Sequence, residues 1–222
     1  MIRATRQRRF RRPLIGIGAL LLLAGANALA IEEPSYQVVK TYPDFELRRY
    51  APYLVAETEV SGDFDKVGNR AFRILAAYIF GENRGQRKME MTAPVSQRPV
   101  ARGGEKIEMT APVTQRPTGG TGADTYVVSF VMPSGYTLDT LPEPLSPRVR
   151  LRQEPAKLMA ARGYSGRWTQ SNYREHESEL LAAVERVGLT PIGAPVYARY
   201  NSPFSLWFLR RNEVMVAVEA SP

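Results

Sequence analysis

The sequence of 222 residues contains no cysteine and a single histidine, His176. The absence of cysteine excludes thiolate catalysis and metal sites with cysteine ligands. Because His176 stands among arginine and glutamate residues, we interpret it as part of a solvated helix face, which does not favour a Ser-His-Asp triad. The sequence also has no glycine-rich phosphate loop. These absences favour a protein without catalytic activity of its own.

The positive charge is concentrated at the N-terminus. Lysine and arginine outnumber aspartate and glutamate by 30 to 22, but six arginines lie within the first twelve residues, ahead of any acid. Removing these six charges from the net +8 leaves only +2. The high basicity is therefore weak support for nucleic-acid binding, and we predict no nucleic-acid partner.

A short apolar run follows the arginines and spans residues 14–30. It ends in small residues at alternate positions, as bacterial export signals do. A membrane-spanning helix needs about 20 apolar residues, and this run is shorter and contains glycine. We predict that residues 1–30 are a cleaved signal peptide, with a retained N-terminal anchor as the alternative. The protein would then be periplasmic, or anchored to the inner membrane facing the periplasm, with no other membrane contact.

A twelve-residue motif occurs twice, at 88–99 and 106–117, with ten identical positions. Side chains of opposite character alternate in both copies, which places Met89 and Met91 on one face of the first copy and Met109 on the matching face of the second. The pattern predicts two strands that face each other across a loop. Because methionine adapts to irregular apolar shapes, this inner face would either pack a core or line a pocket.

The remaining chain predicts further strands and two helices. Apolar residues recur with a helical period from Asp63 to about Phe80 and again over about 170–187. The segment Pro133–Pro147 has four prolines and predicts a long irregular connection. Alternation predicts strands at 36–42, 45–50, 53–61, 126–132, 196–201, 206–209 and 214–219.

The second half of the chain resembles the first. Ser61-Gly62 aligns with Ser165-Gly166, and neighbouring residues follow at the same offset. We predict a tandem pseudo-repeat with halves at about 36–132 and 148–219. Two such units would place two α-helices against one continuous sheet. The predicted fold class is α+β, with a twisted antiparallel β-barrel-like sheet flanked by two α-helices in a single domain, 31–222.

Several segments stand out over about residues 36–219: Phe45–Pro52, Tyr78 with the Gly81–Asn83 loop, both copies of Met-Thr-Ala-Pro-Val, Phe130–Pro133, Tyr200–Pro203 and Arg210–Glu213. Together they resemble the SOUL/heme-binding protein family. The resemblance implies a twisted β-barrel flanked by two helices. It also implies non-covalent binding of heme or another porphyrin in an apolar groove beside the first helix and the sheet.

Porphyrin faces need apolar and aromatic walls, and propionates need basic groups at the rim. Where some family members carry a histidine taken as the iron ligand, this sequence has Arg49. We predict no metal site, with His176 as a weak candidate ligand. Several of these residues also have a purely structural interpretation. The methionines would pack the sheet core, Tyr200 would pack in the core or at the rim, and Arg210 would belong to a turn held by Glu213. The candidate ligand-binding residues are Arg49, Phe72, Leu75, Met89, Met91, Met109, Tyr200 and Arg210.

We predict a non-catalytic protein that binds heme or another tetrapyrrole as a carrier, scavenger or buffer in the bacterial envelope. The alternative is a small-molecule module that resembles the effector-binding domains of multidrug regulators. Such a module would hold lipophilic cations, with Glu213 or Glu219 as the buried carboxylate. An enzyme acting on heme or a small ester is the third reading. The charge of the preferred ligand separates the first two, and the sequence does not determine the oligomeric state.

Overall fold

The computed structural model describes residues 31–85, 104–118, 125–201 and 204–219. Within these ranges the chain forms two α-helices, eleven strands and one short 3-10 helix. The elements are, in chain order, β1 (Tyr36–Thr41), β2 (Glu46–Tyr50), β3 (Tyr53–Ser61), α1 (Phe64–Ile79), β4 (Asn83–Arg84), β5 (Val113–Pro117), β6 (Thr125–Val131), β7 (Glu143–Pro144), β8 (Arg150–Glu154), β9 (Lys157–Tyr164), α2 (Gln170–Arg186), β10 (Thr190–Arg199), the 3-10 helix (Trp207–Leu209) and β11 (Asn212–Glu219).

Nine of these strands form one antiparallel sheet in the order β1-β2-β9-β11-β10-β5-β6-β3-β8. The two-residue strands β4 and β7 pair separately. The large sheet curls into a half-barrel, and both helices pack on one of its faces. The predicted α+β class, with two helices and a barrel-like antiparallel sheet, is confirmed. The tandem pseudo-repeat stays a prediction.

Strand β11 shows how one sequence supplies both faces of the sheet. Its valines, Val214, Val216 and Val218, are buried in the large core beneath the helices. Met215 and Ala217 alternate with them and belong to a smaller apolar cluster on the opposite face. Successive strand side chains point to opposite faces, so every buried strand contributes to both layers. We call these the helix face and the concave face.

Both helices begin at a side-chain cap. The Asp63 side chain accepts from the Asp65 amide at 3.0 Å, and Thr169 accepts from the Asn172 amide at 3.4 Å. Each helix then turns an apolar stripe to the sheet, with Leu75 and Leu180 fully buried. Burying such a side chain contributes about 1.5–3 kcal/mol. Neither described helix has the length and hydropathy that a membrane span requires.

The prediction of a strand in the second copy of the motif, 106–117, is correct for its last five residues, which form β5, and wrong for residues 106–111. The reason is that this segment is tied to the end of α1. The Ile107 amide donates to the Ile79 carbonyl at 2.8 Å, and the Asn83 side chain bonds both backbone groups of Glu105. The first copy of the repeated motif, with Met89 and Met91, lies outside the described residues.

The predicted strand over 206–209 is also wrong. The chain instead turns there, and the Leu209 amide donates to the Leu206 carbonyl at 3.0 Å. This segment pairs with no neighbouring strand among the described residues. Its alternating large apolar residues therefore do not form a hydrogen-bonded β-strand. Its side chains face outward instead.

Candidate ligand-binding site

The concave face of the curled sheet surrounds an open cavity of about 400 Å³. Eight of the nine strands of the large sheet contribute lining residues, from β2 on one side to β8 on the other. Small-molecule sites in proteins are typically about 300–1,000 Å³ and mostly apolar, with a few polar groups. The size and position of this concave cavity therefore make it the candidate site.

Three tyrosines and two methionines form much of the cavity wall: Tyr50, Tyr53, Tyr200, Met159 and Met215. The ring centres of Tyr50 and Tyr53 are 6.3 Å apart. The Tyr50 hydroxyl donates to the sulfur of Met215 at 3.6 Å. Aromatic faces and thioethers are polarizable apolar surfaces that suit a flat conjugated ligand.

Basic side chains stand at the rim on the β8–β9 side of the cavity. Arg152 bonds Glu57 at 3.0 Å and also pairs with Glu154, and the Lys157 amine lies 3.0 Å from Glu154. Burial alone would raise the pKa of Glu154, but Arg152 and Lys157 outweigh it, so that pKa lies below its ordinary value. Arg116 also lines the cavity. The lining therefore carries three cations and one carboxylate.

A buried ionic network lies beside the cavity wall on the concave face. Glu213 accepts from Arg48 at 2.9 Å, from the Tyr200 hydroxyl at 2.7 Å and from Arg211 at 3.1 Å. Arg48 also reaches the Tyr50 hydroxyl at 3.4 Å. Burial alone would raise the pKa of Glu213, but these partners outweigh it and hold the pKa below its usual range. The network fixes the positions of two wall tyrosines, Tyr50 and Tyr200.

The wall phenols stay protonated at neutral pH. Burial, reinforced by the charge of Glu154, raises the pKa of Tyr53 well above its usual range. Burial and the charge of Glu213 do the same to the pKa of Tyr200. These residues therefore present neutral rings and hydroxyl donors to the cavity.

Of the predicted ligand-binding residues that the structure describes, only Tyr200 lines the concave cavity. Leu75 is fully buried in the core of the helix face, and Phe72 packs there on Phe130, with ring centres 5.3 Å apart. Arg49 is exposed in a separate shallow depression near β1.

Two further described candidates, Arg210 and Met109, are not part of the cavity lining. The side chain of Arg210 stacks on the Trp168 ring, with the guanidinium carbon 4.2 Å from the ring centre. Met109 is 48% exposed and is not part of a strand. Met89 and Met91 fall outside the described residues. The six described candidates therefore do not lie together in one site, and the predicted binding roles stay predictions.

His176 lies on α2, which packs on the helix face. Its ring stacks on Tyr164, with centres 4.1 Å apart, and its Nδ1 lies 3.0 Å from the Glu179 carboxylate. Among the described residues no group of three or more histidines and carboxylates is placed to hold a metal ion. His176 is therefore distant in the fold from the cavity lining.

The sequence reading missed the cavity residues on β3, β8 and β9, including Tyr53, Arg152 and Lys157. Alternation shows that each strand has two faces, but it does not show which face encloses a cavity. One available signal was the residue type: Met159 and Met215 alternate with Ala160, Val214 and Val216, which belong to the core of the helix face.

Comparisons with known proteins agree with this architecture. The C-terminal domain of EcmrR has a TM-score of 0.55 at 13% identity, covering 84% of this chain and 99% of that one. A hydrolase from Listeria innocua has a TM-score of 0.53 at 14% identity, covering 82% and 94%. At such identities these structures show a shared fold alone.

Sequence comparisons are more specific. Human Heme-binding protein 2 is 26% identical over 202 residues, which span 85% of this chain and 90% of that protein. The family model described as "SOUL heme-binding protein" matches residues 31–217, which is most of the sequence and all of the large sheet except the last two residues of β11. The resemblance seen in the sequence is thereby confirmed: the chain belongs to the SOUL heme-binding protein family.

Proposed function

We propose that this protein binds heme or another tetrapyrrole in the concave cavity. The observation that carries the proposal is the cavity itself, which has tyrosine and methionine walls and a basic rim at one side. A tetrapyrrole is a flat conjugated ring with carboxylate substituents, so it needs both kinds of surface. Membership of the heme-binding family and the similarity to human Heme-binding protein 2 support the same ligand class.

The rim favours an anionic ligand. Arg116, Arg152 and Lys157 line the cavity, and the two carboxylates that pair with them, Glu154 and Glu57, leave the cations in excess by one. Arginine donates in a planar fork that fits a carboxylate, and lysine supplies a compact charge. We assign the ligand carboxylates to this rim and the macrocycle to the wall formed by Tyr50, Tyr53 and Met215.

The cavity is better suited to binding the tetrapyrrole ring than to coordinating a heme iron. Its described lining has no histidine, and its tyrosines are held neutral, whereas a tyrosine ligates ferric iron as the phenolate. The thioethers of Met159 and Met215 are the remaining donors, and Met215 already accepts from Tyr50. A bound heme would supply redox-active iron, while the protein residues would bind the ring and its carboxylates. We therefore propose recognition that does not depend on iron.

The biological role that we propose is storage or transport without catalysis. A carrier, scavenger or buffer needs a half-open site that exchanges its ligand, and the concave cavity has this form. The export signal predicted for residues 1–30 would place the protein in the bacterial periplasm or on the inner membrane. The resemblance to a hydrolase concerns the fold alone and does not favour an ester-directed activity.

The cationic-ligand alternative is not favoured by the geometry. A lipophilic cation would need a carboxylate whose charge is not already balanced by the protein. Glu213 is buried but is held by Arg48 and Arg211, and Glu219 is exposed at the end of β11.

A parallel titration tests the proposal. Purified residues 31–222 are titrated with hemin, followed in the Soret band, and with protoporphyrin IX, followed by quenching of tryptophan fluorescence. Binding of both with similar affinity is the expected result. Tetraphenylphosphonium serves as the cationic comparison ligand and is expected not to compete. Failure of both porphyrins to bind at micromolar concentration would refute the proposal.

A further inference from the structure

A tip of large apolar side chains projects from the surface between β10 and β11. We call residues 204–209, Phe-Ser-Leu-Trp-Phe-Leu, the apolar tip. Its five large side chains are between 49% and 94% exposed, whereas other exposed apolar residues are scattered singly or in pairs. Contiguous apolar exposure on a soluble domain marks a contact site. The apolar tip does not line the concave cavity, so the proposed ligand does not account for it.

The backbone of the apolar tip is held in one conformation. The carbonyl of Leu206 accepts from the Leu209 amide at 3.0 Å, and the carbonyl of Trp207 accepts from the Gly166 amide at 3.2 Å. The Ser205 carbonyl accepts from the Arg210 side chain at 3.0 Å. Satisfied carbonyls lower the cost of moving a backbone out of water. The tip is thus a preformed apolar projection with few polar groups to desolvate.

The charge next to the apolar tip is mainly positive, although Arg211 is already paired with Glu33 and Glu213. No acidic residue occurs from Phe204 to Asn212, while Arg210 and Arg211 follow directly. Arg167, on the neighbouring loop, is exposed and lies over the Trp207 ring, 5.4 Å from its centre. Within the described part of the chain Arg167 forms no ion pair. Its charge is therefore placed to meet an anionic surface next to the tryptophan.

We propose that the apolar tip inserts into the interface of an anionic lipid membrane, with Arg167 contacting lipid headgroups. Tryptophan favours the membrane interface, and phenylalanine and leucine favour the acyl region just below it. A stable protein–protein interface buries about 800 Å² per partner and involves about 20–30 residues a side. A six-residue projection is too small for such an interface but is sufficient for shallow membrane insertion.

The test uses residues 31–222, because the apolar segment before residue 31 would itself bind lipid. This part forms a compact unit that contains the described buried core, from Phe45 to Val218. The chain has two tryptophans, so Trp168→Phe leaves Trp207 as the sole reporter. Vesicles of phosphatidylcholine with phosphatidylglycerol are expected to shift the Trp207 emission to shorter wavelength and to sediment with the protein.

Matched variants decide whether the apolar tip is responsible. Leu206→Ser with Leu209→Ser is expected to weaken vesicle binding at least about tenfold. The control pair, Leu138→Ser with Leu145→Ser, removes exposed leucines elsewhere and should bind like the wild type. Because all four leucines are exposed, both variants should keep the wild-type urea midpoint and hemin affinity.

A charge variant tests the second part of the inference. Arg167→Gln should weaken binding to vesicles with phosphatidylglycerol by a few-fold and leave binding to phosphatidylcholine alone unchanged. The inference is overturned if neither vesicle shifts the Trp207 emission, or if the tip and control pairs lose binding equally. It is also overturned if the wild type self-associates in sedimentation but does not bind vesicles, and Leu206→Ser with Leu209→Ser abolishes that self-association. The apolar tip would then contact a second copy of the chain.

Discussion

The two faces of the nine-stranded sheet are built from the same strands but differ in packing and composition. The helix face is covered by α1 and α2 and buries a large apolar core, including Leu75 and Leu180, with Arg199 as a buried cation that bonds the neutral Tyr173 and Gln115. The concave face is only partly filled, and its tyrosines and methionines share the surface with ionic groups such as Arg48 and Glu213. The comparison indicates that the helix face supplies stability and the concave face supplies binding.

Leucine truncation on the helix face should have the largest effect on stability. Leu180 is fully buried between α2 and the sheet, so Leu180→Ala leaves a closed cavity. We expect a loss of about 3–4 kcal/mol in the free energy of unfolding. Met215→Ala, on the concave face, should cost roughly 2 kcal/mol, because open space already borders that side chain. Urea unfolding of both variants measures the difference, and equal losses would contradict the division between the faces.

Removal of the Glu213 charge should be the next most damaging change. Glu213→Gln removes the buried ionic partner of the Arg48 guanidinium and leaves it paired only with the more exposed Glu46. The expected loss is about 3 kcal/mol at neutral pH. Glu57→Gln is a suitable comparison, since Glu57 also binds an arginine but lies nearer to solvent, and it should cost less. A Glu213→Gln variant as stable as the wild type would show that the network is not needed for the fold.

The same carboxylate predicts a pH dependence. The pKa of Glu213 is lower in the folded protein than its ordinary value of 4.5, so the folded state favours the charged form. This stabilisation is present above that ordinary pKa and is lost as the pH falls through the lower, folded pKa. Urea midpoints of the wild type should therefore decline below about pH 4.5. The decline should be shallower in Glu213→Gln. Parallel plots of urea midpoint against pH for the two proteins would contradict the assignment of this pH dependence to Glu213.

Neutralising the rim should weaken ligand binding without comparable effects on folding. Arg152→Gln with Lys157→Gln is expected to reduce protoporphyrin IX affinity about tenfold, because two cations that face the ligand carboxylates are lost. Arg148→Gln with Arg150→Gln removes the same charge from exposed positions outside the cavity lining. Fluorescence titration should show wild-type affinity in that control, and an equal loss would indicate a general charge effect.

The smallest effect is expected at His176. Its ring stacks on Tyr164 on the helix face, so His176→Ala should lower the free energy of unfolding by about 0.5–1 kcal/mol. The Soret spectrum of the hemin complex should not change, because the residue lies away from the concave cavity. Loss of the Soret shift in His176→Ala would make this histidine an iron ligand and would contradict recognition of the macrocycle alone.

The elements with strong local signals were predictable from the sequence. Strand β3 has the predicted bounds, Tyr53–Ser61, and both helices lie within a few residues of the prediction, with Asp63 as the cap of α1. The family resemblance was also correct. In these segments the alternation or helical period coincides with burial, so the local pattern and the tertiary packing require the same conformation.

The remaining features depend on contacts between residues distant in the sequence. Arg48 and Glu213 are 165 residues apart, and no local pattern shows that they pair. The segment 106–111 alternates like a strand, but hydrogen bonds to the end of α1 decide its conformation. The cavity arises only when β8 and β2, near opposite edges of the sheet, curl toward each other. The predicted involvement of Phe72 and Leu75 in binding stays a prediction.

Blocking the concave cavity tests the central claim most directly. Ala217 lines the cavity on β11, so Ala217→Trp places a large ring inside it, whereas Ala182→Trp adds the same group to the exposed side of α2. Each variant, with its fold verified by circular dichroism and urea unfolding, is titrated with protoporphyrin IX and hemin. We predict that Ala217→Trp loses at least about tenfold in affinity for both ligands, while Ala182→Trp binds like the wild type. Wild-type binding by Ala217→Trp would contradict the account and would place the ligand outside the concave cavity.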